Sequence, residues 1–409
     1  MEKNVLVRMY NVGFGDCFLV EFPNLTDGVS RVLIDCGSIA AGPFSIADVA
    51  ERVISDCTDT DAVARIDVIV CTHRHADHVS GFAKPAWKDV EVKEVWFPWT
   101  EDPTDEAAQE IRETQSRLAL ALHARWTDGN EATQNENSGW LALAVNALSN
   151  NKAMTMLHEG LRSKPKRKFL SSDGNPKEIK TTALPGVTPF VLGPSKSKEI
   201  IRDMNPPAGK TYLRQGGSAK KDEAILEPFA SDWPIAEATF QARSEWSHLV
   251  VSRQEMEAMN LASSSWDPAI TVALESAVNG TSLVLAFEIG DAVLFFPGDA
   301  QWGTWNEILT KKRSADLLKR VSYWKVGHHG SHNATPADFV DQWVPPSCCA
   351  MMSTKKGKWA SIPRKPLLDA VEQKGIELAR SDEPANDEYR RFTVWDSATV
   401  ETQIPISSA

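Results

Sequence analysis

Short apolar runs alternate with turn residues through the first third of the chain. Residues 5–10, 17–22 and 31–35 carry the period-two pattern of half-buried strands, and Gly, Pro, Asn and Asp separate them, which predicts an antiparallel meander. Residues 66–71 (IDVIVC) are almost wholly apolar and β-branched, as in a strand buried on both faces that ends at Thr72. From 104 to 161 the period lengthens. Ile111, Leu118 and Leu122, then Leu141, Val145 and Leu148, recur at helical spacings and predict a helical insertion. Residues 163–180 and 195–221 are polar, Lys-rich and broken by Pro and Gly, and read as loops. Strand character returns at 282–288 and 292–296, joined by the hairpin dipeptide Gly290-Asp291. A helix over 306–319, a strand at 323–326, an apolar run at 348–353, a helix at 366–374 and a strand at 392–395 follow. No internal repeat is present. Strands and helices in both halves predict an α/β fold with two β-rich layers flanked by helices, an αββα sandwich. The expected organisation is one half of the fold in 1–100, the helical insertion in 101–180, and the other half in 181–409, with a long polar loop region at 195–270.

Composition changes this picture little. With 409 residues, 42% hydrophobic and 24% charged, the chain can bury a full core without staples. The first twenty residues carry Asp16 inside an alternating pattern, unlike a secretory signal, and no stretch of eighteen apolar residues occurs. A soluble cytoplasmic protein with no membrane partner is expected. Six cysteines, two of them adjacent at Cys348 and Cys349, suit free thiols better than a disulfide framework. A net charge of −11 repels nucleic acid at long range, so any anionic substrate must be captured by local charge or by metal.

The chemistry starts at the end of the buried strand. Thr72-His73-Arg74-His75-Ala76-Asp77-His78 crowds three imidazoles and a carboxylate into six residues, the nitrogen and oxygen donors that zinc, manganese or iron accept. A solvated His-rich turn would not need that density. Asp299, in Pro297-Gly298-Asp299-Ala300, follows another predicted strand, where a buried carboxylate must meet a cation or several donors. Gly13-x-Gly15 lacks a third glycine at Phe18 and a following helix, so it is no dinucleotide fingerprint.

The signature His-x-His-x-Asp-His after a strand resembles that of the metallo-β-lactamase superfamily, matched at all four positions. Segments 11–16, 34–37, 282–285, 297–300 and 325–331 recur in the same order in the branch that looks like the hydrolase domain of the ComEC-type DNA-uptake proteins and, more distantly, the phosphorylcholine esterases. The resemblance implies a metallo-β-lactamase sandwich with two divalent ions, zinc first and manganese second. It assigns His73 and His75 to one ion, Asp77 and His78 to the other, Asp299 as the bridging ligand, and Asp35 as a group that orients a ligand without touching metal, an ordinary turn aspartate being the other reading of Asp35. In an extended chain, His328 and His329 face opposite sides. The resemblance favours His329 as ligand and His328 as the group touching substrate or leaving oxygen, the reverse staying open. Asp77 and His328 are then the catalytic pair.

Two departures stand out. Many relatives carry a further metal histidine, for which His123, His158 and His248 are the candidates here, each more in keeping with a structural role, as is a solvated His332. Ser361-Ile362-Pro363 stands where relatives tend to have Gly-His-Pro, and Ile362 cannot coordinate. The implied reaction is hydrolysis of a phosphodiester, as a phosphodiesterase or nuclease, with two ions stabilising attacking and leaving oxygens. An ester, thioester or amide hydrolase uses the same scaffold. A catalytically weak protein that binds a partner through the helical insertion is the alternative from another class. Lys355, Lys356, Lys358 and Arg364 are candidate substrate-binding cations at the rim, against a solvated basic loop. Trp302 and Trp305 are read as core residues or as a stacking platform for a base.

Overall fold

Two mixed β-sheets form the body of the protein, and helices pack on their outer faces. The computed structural model describes residues 3–24, 28–127, 150–204, 206–207, 209–212, 278–331, 333–358, 362–383, 390–396 and 399–407. In the first sheet, Lys3–Tyr10 (β1), Cys17–Pro23 (β2) and Val29–Cys36 (β3) make the antiparallel meander. Arg65–Val70 (β4), Glu91–Pro98 (β5) and Lys166–Leu170 (β6) continue it in parallel. The second sheet contains Lys177–Glu178 (β7), Thr188–Gly193 (β8), Val284–Ile289 (β9) and Ala292–Phe296 (β10) in antiparallel order. Val321–Lys325 (β11), Cys349–Met352 (β12) and Glu377–Arg380 (β13) extend it in parallel from β10. The chain then returns to the first sheet as Phe392–Asp396 (β14) and Thr399–Ile406 (β15). β15 pairs with β1 over its whole length, from Lys3 opposite Ile406 to Tyr10 opposite Thr399.

Period-two alternation gives each sheet an inner and an outer face. Val7, Phe18 and Val68 of the first sheet meet Leu285, Phe287 and Leu294 of the second in one buried core. On the outer face of the first sheet, helix Ile46–Asp56 lays Val49 and Val53 against Leu33 and Ile69. Ser45 begins that helix with a capping box: its hydroxyl accepts from Asp48 N–H and its own N–H donates to the Asp48 carboxylate, worth about 1 kcal/mol. On the outer face of the second sheet, Trp305, Leu318 and Leu367 pack onto Phe295 and Trp324.

Several expectations are corrected. Residues 163–180 are not simply loop: they contain β6, the edge of the first sheet, and β7. The charges of KRKFL that suggested a loop are those of an edge strand, where they discourage further pairing. The segment 101–180 is helical at Glu106–Thr127 and Asn151–Thr155 and then turns to strand. Leu141, Val145 and Leu148 lie outside the described residues, as does most of the region 195–270. The helix expected over 306–319 is two, Trp302–Thr310 and Lys312–Leu318, separated at Lys311 by an extended backbone. Trp305 is fully buried, 5.7 Å from Phe295 and 4.9 Å from Phe339, and Trp302 is buried too, so neither offers a stacking surface. All six cysteines are buried free thiols. Among the described residues, no helix is long and apolar enough to cross a membrane.

Candidate metal centre

Parallel pairing decides where the chemistry gathers. The carboxyl ends of β3, β4 and β5 open on one edge of the first sheet, and those of β10, β11 and β12 on one edge of the second. Such edges are where α/β sheets bind ligands. The two edges are joined directly, because Leu283 N–H donates to the Thr72 carbonyl at 2.8 Å. Asp35 ends β3; His73, His75, Asp77 and His78 follow β4; Asp299 follows β10; His328 and His329 follow β11; Ser353 follows β12. All eight of these acidic and imidazole side chains are buried.

Two glycines let the backbones close on the His-rich turn. A Cβ at Gly15, whose φ is 154°, would lie 2.6 Å from the Asp77 carbonyl oxygen, and one at Gly37 would lie 2.4 Å from His78 N. Any side chain there would push the turn away. Arg74, between the two histidines, turns aside to an ion pair with Glu101 at 3.5 Å. The sharp turn after β11 puts His328 and His329 at φ 46° and 53°, so the extended backbone assumed from sequence is corrected: both are left-handed. Of the five described non-glycine residues at positive φ, Asp35, His328 and His329 belong to this cluster. Strain of about 1–3 kcal/mol each is the kind that persists where a site over-determines the backbone.

The distances define tautomers. His329 Nδ1 lies 2.8 Å from the Ser353 carbonyl oxygen, which can only accept, so that nitrogen carries the proton. In a neutral ring its Nε2 then turns a lone pair on Asp77 Oδ2, 3.3 Å away. His78 repeats the arrangement, with Nδ1 2.7 Å from Asp35 Oδ2 and Nε2 3.2 Å from Asp299 Oδ2. His73 Nε2 and His75 Nδ1 are 3.1 Å apart. Lone pairs facing acceptors at these distances repel unless a proton or a cation lies between them. Asp35 also accepts from Thr72 N–H at 2.8 Å and Thr72 Oγ1–H at 2.6 Å, which orients its carboxylate.

Titration follows the same logic. Burial alone would lower His78, but Asp299, Asp35 and Asp77 overcome it and hold its pKa well above the usual value; His329 is raised as well, against burial, by its hydrogen bond to Asp77 and by Asp16. Burial would raise Asp77 and Asp299, yet the neighbouring histidines hold both below the ordinary carboxylate range, helped at Asp299 by Lys325. His75 is lowered to about 4 by burial, and burial lowers His73 and His328 too. Buried Asp16, Asp35, Asp77 and Asp299 thus face one buried lysine, Lys325. That excess of negative charge out of water calls for protons or cations.

Among the described residues, three groups of donors have ligand atoms within 4.8 Å of one another and could hold a metal ion: His73, His78 and Asp299; Asp77, His78 and His329; and Asp16, Asp35 and His78. The first two share His78 and lie side by side, a donor set of imidazole and carboxylate suited to zinc or manganese. His75 adjoins the first group through His73. His328 stands beside the groups: its backbone N–H donates to Asp299 Oδ1 at 3.1 Å, and its Nε2 is 3.4 Å from the Asn279 amide nitrogen.

His158 stacks on Phe97 at 4.4 Å, a structural position. His248, His332 and the side chain of His123 lie outside the described residues. Lys355 Nζ donates to the Ala41 carbonyl at 2.7 Å, and exposed Lys356 stands 4.0 Å from Glu383. Arg364 N–H donates to the Gly330 carbonyl at 3.0 Å, which ties the segment after Ile362 to the His328-His329 turn. Sequence reasoning gave no role to Asp16 or Lys325, which form a buried ion pair; Lys325 Nζ is also 3.6 Å from Asp299 Oδ1. A charged residue inside each apolar strand context was the available signal.

No protein-family model matches the chain. Among curated proteins it is similar to ComE operon protein 3 of Bacillus subtilis (strain 168), at 30% identity over 114 residues, or 27% of this chain. The match covers 14% of the length of that relative.

Proposed function

We propose that the protein is a metal-dependent hydrolase with the metallo-β-lactamase αββα sandwich, and that its substrate is a phosphodiester. The observation that carries this reading is the convergence of His73, Asp77 and His78 with Asp299 and His329, more than two hundred residues later, on adjoining donor groups that share His78, with His75 beside His73. The local likeness to ComE operon protein 3 supports it. These six residues would hold two divalent ions, zinc or manganese, which when bound would supply Lewis acidity for charge that develops on a phosphoryl group. Asp35 keeps the His78 proton on Nδ1, and the Ser353 carbonyl keeps the His329 proton on Nδ1, so both Nε2 atoms stay available as ligands. Burial lowers His328, so it serves at neutral pH as a neutral N–H donor to the leaving oxygen and not as an imidazolium. Lys355, Lys356 and Arg364 remain candidates for contact with substrate at the rim.

The test is metal analysis of the purified protein followed by assay of bis(4-nitrophenyl) phosphate, single- and double-stranded DNA, RNA and a thioester panel. Phosphodiester turnover that needs metal and is abolished by Asp77→Ala is the expected result. Turnover of thioesters alone, or bound metal with no turnover, overturns the substrate assignment; protein that binds no divalent ion overturns the whole reading.

A further inference from the structure

Away from the His/Asp cluster, a cleft of about 630 Å³ opens between the segment after β6, the turn after β8 and the start of helix Lys312–Leu318. It holds roughly the volume of a ligand pocket for one or two nucleotide-sized groups. Of its eleven described lining residues, Pro176 alone has an apolar side chain and five are charged. Its charges are uneven once their partners are considered. Asp173 accepts from the Asn175 side-chain amide at 3.2 Å, and Glu178 pairs with Lys180 at 2.6 Å. Lys196 pairs with Asp105 at 2.8 Å. Lys177 and Arg313 also line the cleft, and among the described residues neither has a carboxylate partner.

The place of the cleft in the fold gives it meaning. β6 is two strands from β4, which delivers His73, and β8 is two strands from β10, which delivers Asp299. Strands in a sheet are about 4.8 Å apart, so the near wall of the cleft is displaced by about 10 Å along the shared edge, and Lys177, on β7 three strands from β10, by about 14 Å. Hydrogen bonds keep that edge continuous: Leu283 to Thr72, Trp99 Nε1–H to the Ser195 carbonyl at 3.0 Å, and Ser172 N–H to the Pro194 carbonyl at 2.9 Å. At about 3.4 Å of rise per nucleotide in a stacked strand, 10–14 Å is about three to four units.

We propose that this cleft binds the backbone phosphates of a nucleic-acid strand about three to four units from the bond that is cut, with Lys177 and Arg313 as the contacting cations. The inference rests on the phosphodiesterase reading and narrows its substrate class from any phosphodiester to a strand long enough to span both places. It also supplies the local attraction that a chain of net charge −11 needs before a polyanion can approach.

The experiment compares the full-length protein with a Lys177→Glu/Arg313→Glu variant. Binding of a fluorescein-labelled single-stranded 20-mer is followed by anisotropy in EDTA across a salt series, and turnover of bis(4-nitrophenyl) phosphate is followed with metal. Both positions are exposed, and a Lys177→Gln/Arg313→Gln variant with circular dichroism controls for folding. The reversal is expected to weaken 20-mer binding about tenfold or more and to lower the slope of log K against log salt by about 1.4, two contacts at ~0.7 each, while small-diester turnover stays unchanged. Unchanged strand affinity and slope, or a wild-type protein that binds no strand, overturns the cleft proposal. Failure to hydrolyse the small diester overturns the parent reading instead, and the anisotropy measurement stands apart from it.

Discussion

Replacing Asp35 with Asn tests the centre through a residue that the proposal keeps off the metal. Asparagine is one of the few residues that tolerates the positive φ of 57° at this position, so the exchange removes the charge and leaves the backbone alone. The oxygen that accepts from Thr72 N–H is retained. The amide nitrogen replaces Oδ2, which receives Thr72 Oγ1–H at 2.6 Å and faces His78 Nδ1 at 2.7 Å. Donor then meets donor, and His78 relieves the clash by moving its proton to Nε2, the atom 3.2 Å from Asp299 that the metal reading needs as a ligand. The loss is one hydrogen bond to a charged group, about 1.5–3 kcal/mol. That agrees with the 10–100-fold fall in metal affinity expected when the partner of a ligating histidine is changed, about 1.4–2.7 kcal/mol. Competition with a chromogenic zinc chelator reads the change, and far-UV circular dichroism reports the fold. The fold should hold, because losing a carboxylate whose pKa is raised by burial removes a desolvation cost. A variant that folds and keeps wild-type zinc affinity would refute both the tautomer argument and the role given to His78.

Three other outcomes follow from the same geometry. Lys325→Met leaves the buried Asp16 carboxylate without its cation and should cost the metal-free protein about 3–5 kcal/mol; added zinc should raise the melting temperature of the variant more than that of the wild type, and an equal rise would contradict the charge balance described for the site. Trp305→Ala empties a fully buried aromatic site and should cost about 3–5 kcal/mol in chemical denaturation while zinc stoichiometry stays at the wild-type value. The raised His78 and His329 make the metal-free fold sensitive to alkali: their contribution is complete below the unfolded histidine value of about 6.5 and is lost as pH rises through their folded values. Melting of EDTA-treated protein should therefore fall from neutral to alkaline pH and zinc loading should release protons, whereas a flat melting profile with no proton release would count against these assignments.

What could be read from sequence was what local pattern encodes. The meander, the run that became β4 and the Gly290-Asp291 hairpin follow from alternation and turn chemistry, and the donors sit just past apolar runs because parallel strands must end before their loops begin. β15 was missed because TVETQIPI mixes polar residues with a proline, although it pairs with β1 through all eight positions. KRKFL of β6 has the pattern of a loop because edge strands carry charge. Helix Ile46–Asp56 is signalled in sequence only by the capping pair Ser45 and Asp48, since its buried apolar face comprises just Val49, Ala50 and Val53. The turn at His328-His329 defeated a strand argument because left-handed backbone at non-glycine residues is a tertiary demand. The Asp16–Lys325 pair unites positions more than three hundred residues apart, and no local window contains both.

The pairing of β1 with β15 has a cost in time. Tyr10 waits for Thr399, a lag of 399 − 10 = 389 residues. At ~5–20 residues per second on the ribosome, that is about 20–80 s during which one flank of β1 has no neighbour to its outside. Between the synthesis of β1 and that of β15 a nascent chain of this protein therefore has a sticky β-edge on show, and escort by a chaperone, or slow translation that keeps neighbouring chains apart, should matter more to its yield than the final stability of the sheet.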